Sequence, residues 1–129
     1  MTREADKNDV DQIYKLMEKE IHFRGWVEDT GCEPNEESIK AIVHYHIRNI
    51  NGCAFVNEQN GKIDGVFLGC VMPWLLDLKH MAGHEKMSLG ENLDGLWQMF
   101  FEWARTKNVI TCVRGCYDAL EGSRFRRIR

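Results

Sequence analysis

The side chains with the most obvious chemical reach lie between His80 and Glu85. In His80-Met81-Ala82-Gly83-His84-Glu85 two imidazoles stand at i, i+4. On a helix that spacing puts both on one face, as zinc ligands require. The order is H-x-x-x-H-E, so the glutamate of H-E-x-x-H is absent, and Gly83 weakens a helix there. No metal is assigned. His44 and His46, two apart on a helix, point to different faces; His46 is expected against the core. The five cysteines are odd in number and contain no C-x-x-C pair, and Cys112 and Cys116 have no evident partner. That usage suits a reduced, cytoplasmic setting better than a disulfide scaffold or a zinc ribbon.

Two further groups carry binding potential. From Arg114 onward the chain holds five arginines, and Arg124-Phe125-Arg126-Arg127-Ile128-Arg129 alternates cation and apolar group. Such a tail could meet phosphates or an acidic partner, or simply complete a helix whose C-terminal dipole favours cations. Trp74 follows Pro73 and precedes Leu75-Leu76 in a segment read as a loop. Apolar side chains there form either a lid or protein-binding patch, or a satellite core.

These residues need elements to position them. Val10, Ile13, Tyr14, Met17 and Ile21 form one stripe of a helix over about 7–22, with Asp6 or Asn8 as its cap. A loop is expected over 25–35. A second helix over about 36–49 presents Ile39, Ile42, Val43, His46, Ile47 and Ile50, with Asn35 as cap. Period two then takes over. Residues 53–57 read as a strand, Asn60-Gly61 as a hairpin turn, and 62–72 as the returning strand, closed by Pro73. Residues 75–89 show no dominant period and read as a loop followed by a central strand over about 82–89. A helix over 92–107 carries Leu93, Leu96, Trp97, Phe100, Phe101 and Ala104 on one face. A short strand, 109–113, and a closing helix from about Asp118 complete an α/β (α+β) order.

Composition bounds the rest. The 129 residues are enough for one domain, 1–129, with one core. No apolar run reaches the ~20 residues of a membrane span, and the polar start is unlike a secretory signal. Net charge is -3, with -5 in residues 1–64 and +2 in 65–129, which is no nucleic-acid footprint.

The element order, together with three segments, resembles the GCN5-related N-acetyltransferase (GNAT) family, closest to the short GNAT-like proteins of tailed bacteriophages. Arg3-Glu4-Ala5-Asp6-Lys7-Asn8-Asp9 is similar to the family's R-x-A-x-x-x-D opening. Glu58 to Gly65 is similar to its hairpin, and Phe101 to Val109 to the end of its long helix. The resemblance implies a mixed, mostly antiparallel sheet flanked by helices, with acetyl-CoA as acetyl donor and an amine as acceptor. It places the donor's pyrophosphate at the junction of the central strand and the long helix, here Ser88, Leu89, Gly90, Asn92 and Gly95. It implies Glu85 as base, with His84 as the alternative. The tyrosine that often protonates the family's leaving thiolate has no match, and Tyr117, just after the last strand, could serve as acid or be a packed aromatic. Glu85 could equally be a strand carboxylate facing solvent or paired with Lys86.

Two departures bear on activity. The family's R/Q-x-x-G-x-G/A loop is represented by Met87 to Gly95, whose glycines lie five apart, without a leading Arg or Gln. Glu91 and Asp94 stand where they would repel a phosphate, and the same residues fit an ordinary helix start with Asn92 as cap. No counterpart of the family's last strand is read in these residues, so a sheet edge at 109–113 is expected to meet a second protein or a second copy. Two functions are therefore expected: acetyl transfer to an amine, or a catalytically inactive GNAT-fold binding protein in an assembly or an inhibitory complex. No membrane or nucleic-acid partner is expected.

Overall fold

The computed structural model describes residues 1–113. Tyr117, the arginine tail and the expected closing helix lie outside the described residues. Within them the chain forms β1 (Thr2–Glu4), a 3-10 turn at Lys7–Asp9, α1 (Val10–Phe23), α2 (Trp26–Thr30), α3 (Glu36–Arg48), β2 (Gly52–Gln59), β3 (Lys62–Trp74), β4 (Asp77–Gly90), α4 (Leu93–Arg105) and β5 (Thr111–Val113). The strands form one sheet in the order β1-β2-β3-β4-β5. Every pairing is antiparallel except β4 with β5. This is the mixed, mostly antiparallel α+β architecture expected from the sequence.

Local chemistry sets most boundaries. Asp6 and Asp9 make a reciprocal capping box at the entrance to α1. Arg3 forks onto Asp9 at 2.8 and 2.9 Å and reaches Glu58 at 2.6 Å, which accounts for the spacing of the R-x-A-x-x-x-D opening. The guanidinium beside Asp9 holds its carboxyl below the usual carboxylate range. Asn35 caps α3 by accepting from the Ser38 amide at 2.9 Å. Asn60 and Gly61 both adopt left-handed backbone, the geometry that a two-residue hairpin turn demands.

Several expectations are corrected. Residues 25–35 are not all loop, because buried Trp26 anchors a short helix between two left-handed glycines, Gly25 and Gly31. Pro73 does not close β3. It sits opposite Met81 beside a register shift near the hairpin end, a place where a missing donor is tolerated. Residues 77–81 are strand rather than loop, and the turn is only Leu75-Leu76. This arm reaches past the helices, leaving Leu75, Leu76 and Leu78 at 81%, 79% and 74% exposure. With neither face covered, no hydrophobic alternation was selected to reveal it. β4 is an interior strand, between β3 and β5, among the described residues. Ile42 and Ile50, expected on the packed stripe of α3, are half or more exposed.

The sheet separates two cores. One face packs Val10, Ile13, Met17 and Val43 of α1 and α3 against Ala54, Val56, Val66, Leu68 and Leu89. The other packs Leu96 and Phe100 of α4 against Cys53, Phe55 and Phe67, with Trp97 and Trp103 beside them. α4 can approach closely because Gly69 and Gly83 lie beneath Phe100. A Cβ on Gly69 would meet that ring at 2.6 Å. β5 is the outermost described strand.

Candidate functional site

The parallel pairing of β4 with β5 is described as far as Val113, the last described residue. Ala82, Gly83 and His84 pair with β5, while β4 continues to Gly90. Beyond His84 the edge of β4 turned away from β3 therefore has no strand neighbour among the described residues. At the same point β4 is irregular. Leu68 faces Met87 and Gly69 faces Glu85, so Lys86 is the extra residue of a bulge. A bulge takes peptide groups out of the regular ladder and re-aims side chains. This outer edge of β4, from Glu85 toward the first turn of α4, is the candidate slot among the described residues.

That first turn has a mixed character. Asn92 stands at the N-cap position with left-handed backbone (φ 55°), and no side chain caps the helix. This corrects the ordinary cap expected at Asn92. Its amide instead donates to Oδ1 of fully buried Asn57 at 3.1 Å, and Asn57 donates to Asp64 at 2.6 Å. The uncapped amides and the helix dipole favour an anion, whereas Glu91 and Asp94 oppose one. The nearby glycines serve internal packing. A Cβ on Gly90 would meet the Asp64 carbonyl at 2.1 Å, and one on Gly95 would meet the Asn92 side chain at 2.7 Å. The Glu91 N–H is already bonded to the Asp64 carbonyl at 2.8 Å.

The residues singled out from sequence distribute as follows. Glu85 is half-buried on the α4 face of β4, and Ser88 Oγ donates to its Oε2 at 3.0 Å. Leu89 is a core side chain on the opposite face, so only its backbone borders the slot. Gly90, Asn92 and Gly95 lie in the β4–α4 connection, whereas Tyr117 is outside the described residues. His80 and His84 lie on a strand, where four residues span roughly 13 Å, so they cannot share one ion. Burial pushes the Cys53, Cys70 and Cys112 thiols up, which disfavours a thiolate nucleophile at neutral pH.

The other face of the bulge holds what the sequence did not expose. A cleft of about 690 Å³ opens between α1, α3 and the β3–β4 hairpin. Met17, Ile39, Ile42 and Leu68 line it with Lys86 and Met87 of the bulged segment, and His46 also contributes to its wall. His46 is 5% exposed, as the sequence suggested. Its Nδ1 lies 2.8 Å from the Ile42 carbonyl, which can only accept, so Nδ1 carries the proton and Nε2 is left with a lone pair. That Nε2 has no hydrogen-bond partner among the described residues. Burial, with a smaller contribution from the charge of Lys86, holds the imidazole below its ordinary pKa, so it is neutral at pH 7. The only sequence signal for this cleft was a histidine on the apolar stripe of α3.

Comparison with solved structures identifies the architecture. A predicted acetyltransferase with acetyl-CoA from Clostridium acetobutylicum superposes with a TM-score of 0.70 at 14% identity, over 90% of this chain and 80% of that one. AAC(6')-Iy in complex with a bisubstrate analogue, CoA-S-monomethyl-acetylneamine, gives 0.71 at 9% identity, over 94% and 83%. A GNAT family acetyltransferase from Staphylococcus aureus gives 0.63 at 14% identity, over 92% and 87%. No family model and no curated protein matches the chain. The fold is that of the GCN5-related N-acetyltransferases. Among the described residues, no helix is long and apolar enough to cross a membrane.

Proposed function

We propose that this chain is an N-acetyltransferase that moves an acetyl group from acetyl-CoA to an amine. The observation that carries the reading is the bulge in β4 at Lys86, in a sheet whose fold is shared with solved structures bound to acetyl-CoA or a CoA analogue. Among the described residues, the peptide groups of Glu85 to Gly90 that point away from β3 have no strand neighbour, and they suit an extended thioester-bearing arm and its carbonyl oxygen. The α4 first turn, at Leu93 to Gly95, offers uncapped amides for the phosphates. When bound, acetyl-CoA supplies an activated acetyl thioester.

The grip on phosphate is weak by design of these residues. Glu91 and Asp94 bring two negative charges to the phosphate end, and the glycines there are committed to packing against Asp64 and Asn92. Affinity then rests on the slot rather than on the loop. Acetyl-CoA is expected to raise the melting temperature only at high concentration, and free CoA thiol should appear when an acceptor amine is added. Absence of both effects over a broad panel of amines would overturn the proposal. Glu91→Gln with Asp94→Asn should tighten binding, since each substitution removes a repelling charge without changing side-chain size.

A further inference from the structure

Three histidines, His44, His46 and His84, each hold a buried ring nitrogen without a partner among the described residues, and of these His46 lines the cleft on the α1/α3 face. A ring nitrogen with its lone pair free, in a side chain more than nine-tenths buried, belongs to a residue of the wall of a largely apolar cleft. A buried acceptor without a donor is unfavourable, and such a group is retained where a donor is to arrive. Resting on the acetyl-transfer reading above, we infer that this cleft takes a primary amine borne on an apolar body, and that His46 Nε2 is the base that removes its proton.

The lining sets the acceptor class. Met17, Ile21, Ile39, Ile42, Leu68 and Met87 suit an aliphatic or aromatic body. Among the described residues no carboxylate lines the cleft, and Lys86 adds a positive charge, which disfavours polycationic acceptors. The methionines and Lys86 of the wall are unbranched, so the cleft can rearrange around a ligand. Lys86 also belongs to the bulge, so the cleft and the slot meet at the same stretch of β4.

The transfer balances simply. An arriving ammonium gives one proton to His46 Nε2, which passes it to solvent. The amine nitrogen then bonds to the acetyl carbon and the C–S bond breaks, its electron pair leaving on sulfur. The second proton shed by nitrogen ends on that thiolate, giving the amide and free CoA.

The groups around His46 can be named from each neighbouring element. Lys86 stands on β4, Cys70 on β3 and Tyr45 on α3, while Glu4 shares with His46 a smaller crevice. Of the charges, Lys86 is the one that acts on His46, keeping it neutral.

The test uses the whole chain, acetyl-CoA, and thiol release with 2-phenylethylamine and hexylamine against spermidine. The expected result is turnover with the two apolar amines. Its kcat/KM should fall on an acid limb below the ordinary histidine pKa of about 6.5. His46→Gln should lose roughly 10²–10⁴-fold in kcat/KM, as typical of a general base, while still showing the acetyl-CoA effect on melting. Should His46→Gln not fold, Lys86→Met decides, because removing the cation should move the acid limb to higher pH. Turnover confined to spermidine would overturn the acceptor class. A His46→Gln variant as active as wild type, an acid limb that Lys86→Met leaves in place, or a hundredfold loss in Glu85→Gln alone would overturn the role of His46. In each of those outcomes acetyl transfer itself stands. It fails only if no amine releases thiol.

Discussion

The two faces of the sheet solve the same packing problem in opposite ways. On the α4 face, Phe67 and Phe100 lie with ring centroids 4.8 Å apart, and Trp97 and Trp103 approach Phe100 at 5.5 and 5.9 Å. Glycines at 69 and 83 let the helix press onto the strands. On the α1/α3 face the packing is aliphatic, and it leaves a cleft of about 690 Å³ with a buried polar atom. Rigid aromatic packing behind the bulge holds β4 in place. The looser face can then spend a cavity on a ligand, since unbranched side chains rearrange at small cost. The closed face fixes geometry, and the open one recognises.

The comparison breaks first at Phe100. Phe100→Ala is expected to destabilise by about 3–5 kcal/mol, the range for truncating a fully buried aromatic. Denaturant unfolding should show a lower midpoint. A loss below about 1 kcal/mol would mean that the α4 face is no tighter than the other.

Gly69→Ala tests the same face from the strand side. The added methyl would meet Phe100 ring carbons at 2.6 and 2.9 Å and the Phe67 ring at 3.0 Å. Overpacking of this kind costs about 1–3 kcal/mol. On the open face, Ile42→Ala at the cleft wall should lose much less, because Ile42 is already 51% exposed. Equal losses would erase the distinction between the faces.

A smaller effect sharpens it through pH. His46 and His84 both sit below the ordinary imidazole pKa, chiefly because burial disfavours the charged ring. Unfolded, each takes up its proton near pH 6.5, whereas folded each resists until lower pH. The unfolded state therefore binds more protons in that window, and stability declines as pH falls from about 6.5 toward the folded values. His46→Gln should flatten the decline relative to wild type, read as melting temperature against pH. An unchanged slope would show that the ring is not held neutral by the fold.

Much of this was legible in the chain itself. Helix periodicity marked α1, α3 and α4, and Asn60-Gly61 marked the hairpin, because such signals act within a few residues of sequence. Arg3, Ala5 and Asp9 announced the opening motif before their pairing was known. The arm from Asp77 to Met81 was missed because both of its faces meet solvent, so burial left no pattern there. Trp26 was placed in a loop because five helical residues are too few for periodicity to register.

The site divides along the same line. Sequence alone determined that Gly90, Asn92 and Gly95 stand at a helix start among acids, and that Glu85 lies on a strand. Only the tertiary structure decided that Asn92 turns to Asn57 instead of capping α4, that Lys86 is the bulged residue, and that His46 borders the cleft behind the bulge. Local rules read neighbours along the chain, within a turn of helix or a pair of strands. Asn57 and Asn92 are 35 residues apart, and His46 and Lys86 are 40, so their meeting depends on how α3, β2 and β4 pack together.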